Sequence, residues 1–68
     1  MIVTNLSQLG EIVKKSRKQR GLTQTDLAFA AQVGVRFIVD LESGKETMQI
    51  GKVFNVCNIL GLKIDIKD

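Results

Sequence analysis

The chain has 68 residues, with ten Lys and Arg against seven Asp and Glu, a net charge of +3, no histidine and a single cysteine. This length allows one domain, and a core of that size supplies only about 3–5 kcal/mol without a staple, so some stabilisation from outside the single chain is expected. One cysteine excludes an internal disulfide, and without histidine the ligand set for a zinc site or a catalytic imidazole is missing, so neither metal nor cofactor is expected.

The opening M-I-V-T-N-L-S-Q-L has no basic region followed by an apolar stretch, and no apolar run is long enough to span a bilayer. A soluble, cytoplasmic protein with no membrane partner is the expectation. Prolines, repeats, low-complexity segments and linkers are absent, so residues 1–68 read as one domain with a helical core over 5–61. The first helix is predicted over 5–20, capped by Thr4 or Asn5 and stopped at Gly21, with Leu6, Leu9, Val13 and Ser16 along one side. Lys14, Lys15, Arg17, Lys18 and Arg20 place half of the basic residues within seven positions near its end. That run either complements the helix dipole and solubilises the face or draws an anionic partner.

Between Leu22 and Lys45 the sequence has the grammar of two short helices joined by a tight turn, a helix-turn-helix. Thr23 is a good N-cap, and Asp26 three residues later completes a capping box. Leu27, Ala28 and Ala31 turn one face of a helix over 24–32 inward. Val33 and Gly34 break the pattern, with Val33 able to drop into the core. A second helix over 35–43 buries Ile38 and Leu41, leaves Val35, Arg36, Val39 and Asp40 pointing away, and stops at Gly44. Its N-terminal residues are the part that meets base edges in such modules, with Val35 and Arg36 as leading readers.

A fourth helix is predicted over 48–60, with Thr47 as N-cap and Ile50, Val53, Phe54, Cys57 and Leu60 closing the core. Cys57 on that stripe is a small buried hydrophobe. The tail Leu62, Lys63, Ile64, Asp65, Ile66, Lys67 alternates apolar and charged residues, the signature of a half-buried strand. Apart from weak Ile2-Val3 the chain offers this strand no partner, so a second copy is expected to supply one. A two-fold axis at Ile64 opposes Lys63 with Asp65 and Leu62 with Ile66, whereas an axis at Asp65 would oppose Lys63 with Lys67. The expected fold is therefore mostly α, a bundle of four to five helices with a short C-terminal strand paired across a homodimer.

From Leu22 to Gly61 the chain resembles the helix-turn-helix of Cro and lambda-repressor-like (XRE) regulators, through T-Q-x-x-L-A followed by I-x-x-L-E-x-G-K. More narrowly, R-F-I-V-D-L-E-S-G-K-E-T, the G-K-V before the last helix and the L-G-L-K-I-D-I ending resemble HipB-like antitoxins, whose toxin partners are HipA-like kinases. The resemblance implies that Gln24 touches phosphate or a base, that Val35, Arg36 and Val39 face bases with Phe37 beside them, and that Lys45 and a helix start at Thr47 hold the phosphate backbone. It also implies that Arg17 and Glu42 form a partly buried salt bridge. Chemically, Arg36 suits guanine O6 and N7, Gln24 suits adenine, and Val35 offers only apolar contact to a thymine methyl.

The pattern is also departed from. Gln32 replaces the usual turn glycine, Gly34 stands where a polar cap is common, and Gly51 weakens the start of the last helix. Two valines among the readers leave direct readout to Arg36 and Gln24, with DNA shape adding the rest. Phe29 and Ala30 sit where polar surface is usual, so Phe29 either meets a partner chain or packs on the N-terminal arm around Ile2 and Val3. The function implied is a dimeric repressor of double-stranded inverted-repeat operator DNA, serving as antitoxin of a HipA-like kinase and autoregulating its operon. A stand-alone regulator and a protein-interaction module that does not bind DNA are the alternatives. No nucleophile with a base, paired acids or phosphate-cradling loop marks an enzyme.

Overall fold

The computed structural model describes residues 5–64, and within them four helices follow in chain order: α1 (Leu6–Gln19), α2 (Gln24–Ala31), α3 (Val35–Glu42) and α4 (Ile50–Ile59). Each begins and ends for local reasons. Asn5, of the two caps considered, opens α1: its Oδ1 accepts the Gln8 N–H at 2.7 Å. The helix closes where Gly21 takes a φ of 70°, letting the Leu22 N–H return to the Arg17 carbonyl at 3.1 Å. For α2 the capping box forms in both directions, Asp26 N–H to Thr23 Oγ1 at 3.0 Å and Thr23 N–H to Asp26 Oδ2 at 2.9 Å. The hydrogen bond from the Thr23 backbone holds the Asp26 carboxyl below its usual range.

The core collects one stripe from every helix. Leu9 and Val13 of α1, Leu27, Ala28 and Ala31 of α2, Ile38 and Leu41 of α3, and Val53, Val56 and Cys57 of α4 with Leu60 are all buried. Here α3 packs against both α1 and α2, and α4 closes the bundle against α2. Burial among these apolar neighbours pushes the Cys57 thiol up.

The last helix departs from its sequence reading. It starts at Ile50 with Gln49 as N-cap and no side-chain cap bond, so Thr47 does not cap it. Met48 packs against the core from a non-helical stretch, and seating it there delays the helix past the Thr47 hydroxyl. The buried stripe is Val53, Val56, Cys57 and Leu60, while Ile50 is 61% and Phe54 42% exposed. Both stripes have helical spacing in this apolar segment, and packing against α2 selects the one that contains Val56.

Beyond α4, Arg20 Nη2 donates to the Leu60 carbonyl at 2.6 Å, tying the end of α1 to the last turn. Leu62 and Ile64 are half-buried against the core and Lys63 is exposed, but no strand occurs among the described residues. A ladder needs a second backbone, and the described part of one chain supplies none. Of the residues assigned to the strand, Asp65, Ile66 and Lys67 lie outside the described residues, as do Ile2 and Val3. No helix among the described residues is long and apolar enough to cross a membrane.

At the end of α2, Gln32 adopts the left-handed conformation at φ 57°. An L-residue there costs about 1–2 kcal/mol, against about 0.4–1 kcal/mol of extra chain entropy that a glycine would lose on folding. Gln32→Gly is accordingly expected to stabilise the domain by about 0.5–1 kcal/mol, seen as a rise of a few degrees in Tm. A fall in Tm would show that the Gln32 side chain has a structural task of its own.

Candidate nucleic-acid interface

Burial of Ile38 and Leu41 fixes the rotation of α3 and thereby decides what its other side displays. Val35 is 46% exposed and Val39 36%, and the Arg36 side chain stands out at 85%. These three share the solvent side of a short helix whose N-cap, Gly34, provides no side-chain cap bond. The arrangement presents a methyl-rich surface with one long, permanently charged fork, the donor geometry that matches a guanine edge or a phosphate.

Two polar clusters flank this surface. In the first, Arg17 Nε donates to Glu42 Oε2 at 2.6 Å and Nη2 to Oε1 at 3.1 Å, with side chains only 9% and 4% exposed. Arg17 Nη1 also donates to the Leu22 carbonyl at 2.8 Å, and Gln24 Nε2 donates to Glu42 Oε1 at 3.2 Å. One carboxylate thus joins α1, the end of α3 and the first residue of α2, and it sets the orientation of the half-buried Gln24 amide. Beside it runs a shallow groove lined by Lys14, Lys15 and Lys18 with Glu11 and Glu42, which brings much of the basic run up to the end of α3.

The second cluster forms on α3 and the loop after it. Arg36 Nε lies 3.3 Å from Asp40 Oδ1, and Lys45 Nζ 3.5 Å from Asp40 Oδ2. The loop is held independently of these side chains, since the Asp40 carbonyl accepts the Lys45 N–H at 3.1 Å and the Ser43 hydroxyl at 2.8 Å. Gly44, at φ 81°, allows the chain to turn back in this way.

Of the residues singled out in the sequence, Gln24, Arg17 and Glu42 therefore meet in one cluster, Arg36 and Lys45 meet in the other, and Val35 and Val39 lie exposed on α3. Phe37 is placed differently. Its ring is half-buried, packed in part against the core, with Lys52 Nζ 5.9 Å from the ring centroid, a cation–π contact, so it is less displayed than Arg36. Thr47 is exposed in the stretch ahead of α4, three residues short of the helix start assigned to it. Sequence reasoning gave Asp40 no role and passed over Gly10, where a Cβ would run into the Leu41 carbonyl oxygen of α3. The spacing of Arg36 and Asp40, one helical turn apart, was the available signal for the first. Phe29 is 87% exposed, so among the described residues it has little packing.

Comparison with known proteins gives concordant matches. Residues 13–67 match the helix-turn-helix family model HTH_3. The uncharacterized HTH-type transcriptional regulator y4mF of Sinorhizobium fredii is 53% identical over 60 residues, which cover 88% of this chain and 79% of the relative. Among solved structures, a HipB-O1-O2 complex has a TM-score of 0.84 at 24% identity, covering 97% of this chain and 96% of that one. The wild-type restriction-modification controller protein C.Esp1396I has a TM-score of 0.74 at 26% identity, covering 85% of this chain and 76% of that one. At 24% identity the likeness to HipB is one of fold.

Proposed function

Because the chain belongs to the HTH_3 helix-turn-helix family of DNA-binding transcriptional regulators, we propose that two copies of it bind an inverted-repeat operator in double-stranded DNA and repress transcription. In this reading the solvent side of α3 enters the major groove. Arg36 reads a base edge, Val35 and Val39 make apolar contact, and Gln24 and Lys45 hold the register on phosphate or base. The observation that carries it is the 85% exposed Arg36 side chain on a helix whose opposite side is locked into the core. Two copies joined through residues 62–66 would set their α3 helices about 34–36 Å apart, one turn of the duplex, or a multiple of it. Half-buried Leu62 and Ile64 flanking exposed Lys63 favour that joint, because the alternation already turns one apolar side of the tail inward.

We further propose that the repressor is the antitoxin of a HipA-like kinase and represses its own operon. The L-G-L-K-I-D-I ending and the fold shared with HipB support this assignment. The likeness to a restriction-modification controller supports the second reading, a stand-alone regulator with no kinase partner. Affinity purification from the native host separates the two: a co-purifying kinase supports the antitoxin, and DNA alone supports the stand-alone regulator.

DNA binding itself is tested by selecting duplexes from a random pool and comparing Arg36→Ala with the parent. The variant is expected to lose about 1–3 kcal/mol and to relax preference at one base position per half-site. Equal binding of both proteins to all selected variants would remove Arg36 from the interface. An affinity that does not fall with salt would instead support an interaction module that does not bind DNA.

A further inference from the structure

We propose that Asp40 is a specificity-determining residue, a carboxylate that aims the Arg36 fork at bases and suppresses binding to DNA of unrelated sequence. The proposal rests on the DNA-binding reading above. Asp40 takes Arg36 by Nε at 3.3 Å. The nitrogen against the carboxylate is thus Nε, whereas the terminal guanidinium nitrogens are the pair that binds guanine O6 and N7. The same carboxylate meets Lys45 Nζ at 3.5 Å through its other oxygen. One anion therefore stands between the two cations that the α3 face and its loop offer to a duplex. It is itself only 20% exposed, against 85% for Arg36 and 54% for Lys45.

Specific and unspecific complexes use this cluster differently. Reading a base with the terminal nitrogens preserves the Nε contact, so the specific complex keeps the pair and benefits from the fork being held in place. Unspecific binding is made of phosphate contacts alone, which bring further anions up to the Asp40 carboxylate without the base contact that offsets their repulsion. Asp40 thus penalises the unspecific mode while supporting the specific one. Placing the repulsive element inside the reading surface raises the ratio of the two affinities without adding any attractive contact.

The experiment compares the parent, Asp40→Asn and Asp40→Glu by fluorescence anisotropy. One probe is a duplex of about 30 bp selected by the parent from a random pool. The other is a duplex of equal length without the selected sequence, and both are titrated from about 50 to about 200 mM salt. Asp40→Asn is expected to bind the unselected duplex about three- to tenfold tighter, the range set by exposed ion pairs. On the selected duplex it is expected to bind no tighter than the parent, so the affinity ratio falls. Its salt dependence on the unselected duplex should steepen by about one phosphate contact. Asp40→Glu keeps the charge and is expected to stay near the parent on the unselected duplex. An unchanged ratio, or a parallel loss on both duplexes, would overturn the proposal. A parent that selects no duplex would overturn the DNA-binding reading and this proposal with it.

Discussion

Glu42→Ala is expected to lower the free energy of unfolding by about 3–5 kcal/mol, because it strands the Arg17 guanidinium in a buried site. The reason is the geometry of the cluster. Arg17 and Glu42 make two parallel hydrogen bonds at 2.6 and 3.1 Å with side chains that are 9% and 4% exposed. With both side chains more than nine-tenths buried, the Arg17 charge keeps most of its desolvation cost and loses its partner. The remaining contacts compensate little, since Arg17 retains only the Leu22 carbonyl and Gln24 loses its acceptor altogether. A domain of this length holds about 3–5 kcal/mol in all, so the single variant should be largely unfolded in the absence of a partner copy or DNA.

Urea denaturation followed by circular dichroism measures the effect, and a double variant identifies its cause. Arg17→Met with Glu42→Leu removes both charges and retains apolar volume, and it should recover most of the loss. A single-variant loss below about 1 kcal/mol, the value of an exposed pair, would show that the cluster is hydrated and structurally unimportant. A double variant no better than Glu42→Ala would show that the missing side-chain packing, not the orphaned charge, destabilises the fold.

How far the sequence reveals this fold depends on the range of the interaction that decides each feature. The capping box of Thr23 and Asp26 spans four residues, and the inward face of Leu27, Ala28 and Ala31 follows from helical spacing, so both are readable locally. Ile38 and Leu41 likewise reveal which side of α3 is buried and therefore which side Arg36 occupies. The start of α4 is not readable in this way. Thr47 is a good cap by itself, but Met48 must reach the core, and that tertiary demand outweighs the local signal. The stripe of α4 fails for a related reason, because Ile50, Val53, Phe54, Val56, Cys57 and Ile59 offer two helical faces and only the position of α2 chooses between them.

The interface divides along the same line. Arg36 follows from its place on α3, whereas the role of Asp40 depends on Lys45 returning to it after the turn at Gly44. Arg17 and Glu42 stand 25 residues apart, and only the family resemblance paired them. Phe37 stands between the two cases. The resemblance sets it beside Arg36, but successive residues on a helix lie about a quarter-turn apart, and the ring is half-buried against the core.

Gly10→Ala is expected to destabilise the domain by about 2–3 kcal/mol, although alanine is the better helix former by about 1 kcal/mol. A Cβ at Gly10 would run into the Leu41 carbonyl oxygen and lie 2.8 Å from that of Glu42. Both obstacles are backbone, so no rotamer change relieves the clash and α1 itself must move away from the end of α3. That movement also pulls Arg17 from Glu42, two turns further along the same helix, and so disturbs Gln24 as well. Gly51→Ala provides the matched control, for a Cβ there meets nothing within 4 Å and the substitution should stabilise α4 by about 0.5–1 kcal/mol. The same change in two helices is therefore expected to have opposite signs in urea titrations. A Gly10→Ala protein as stable as the parent would mean that α1 can sit further from α3 without cost, and the close seating that orients Glu42 would no longer explain how the interface is held.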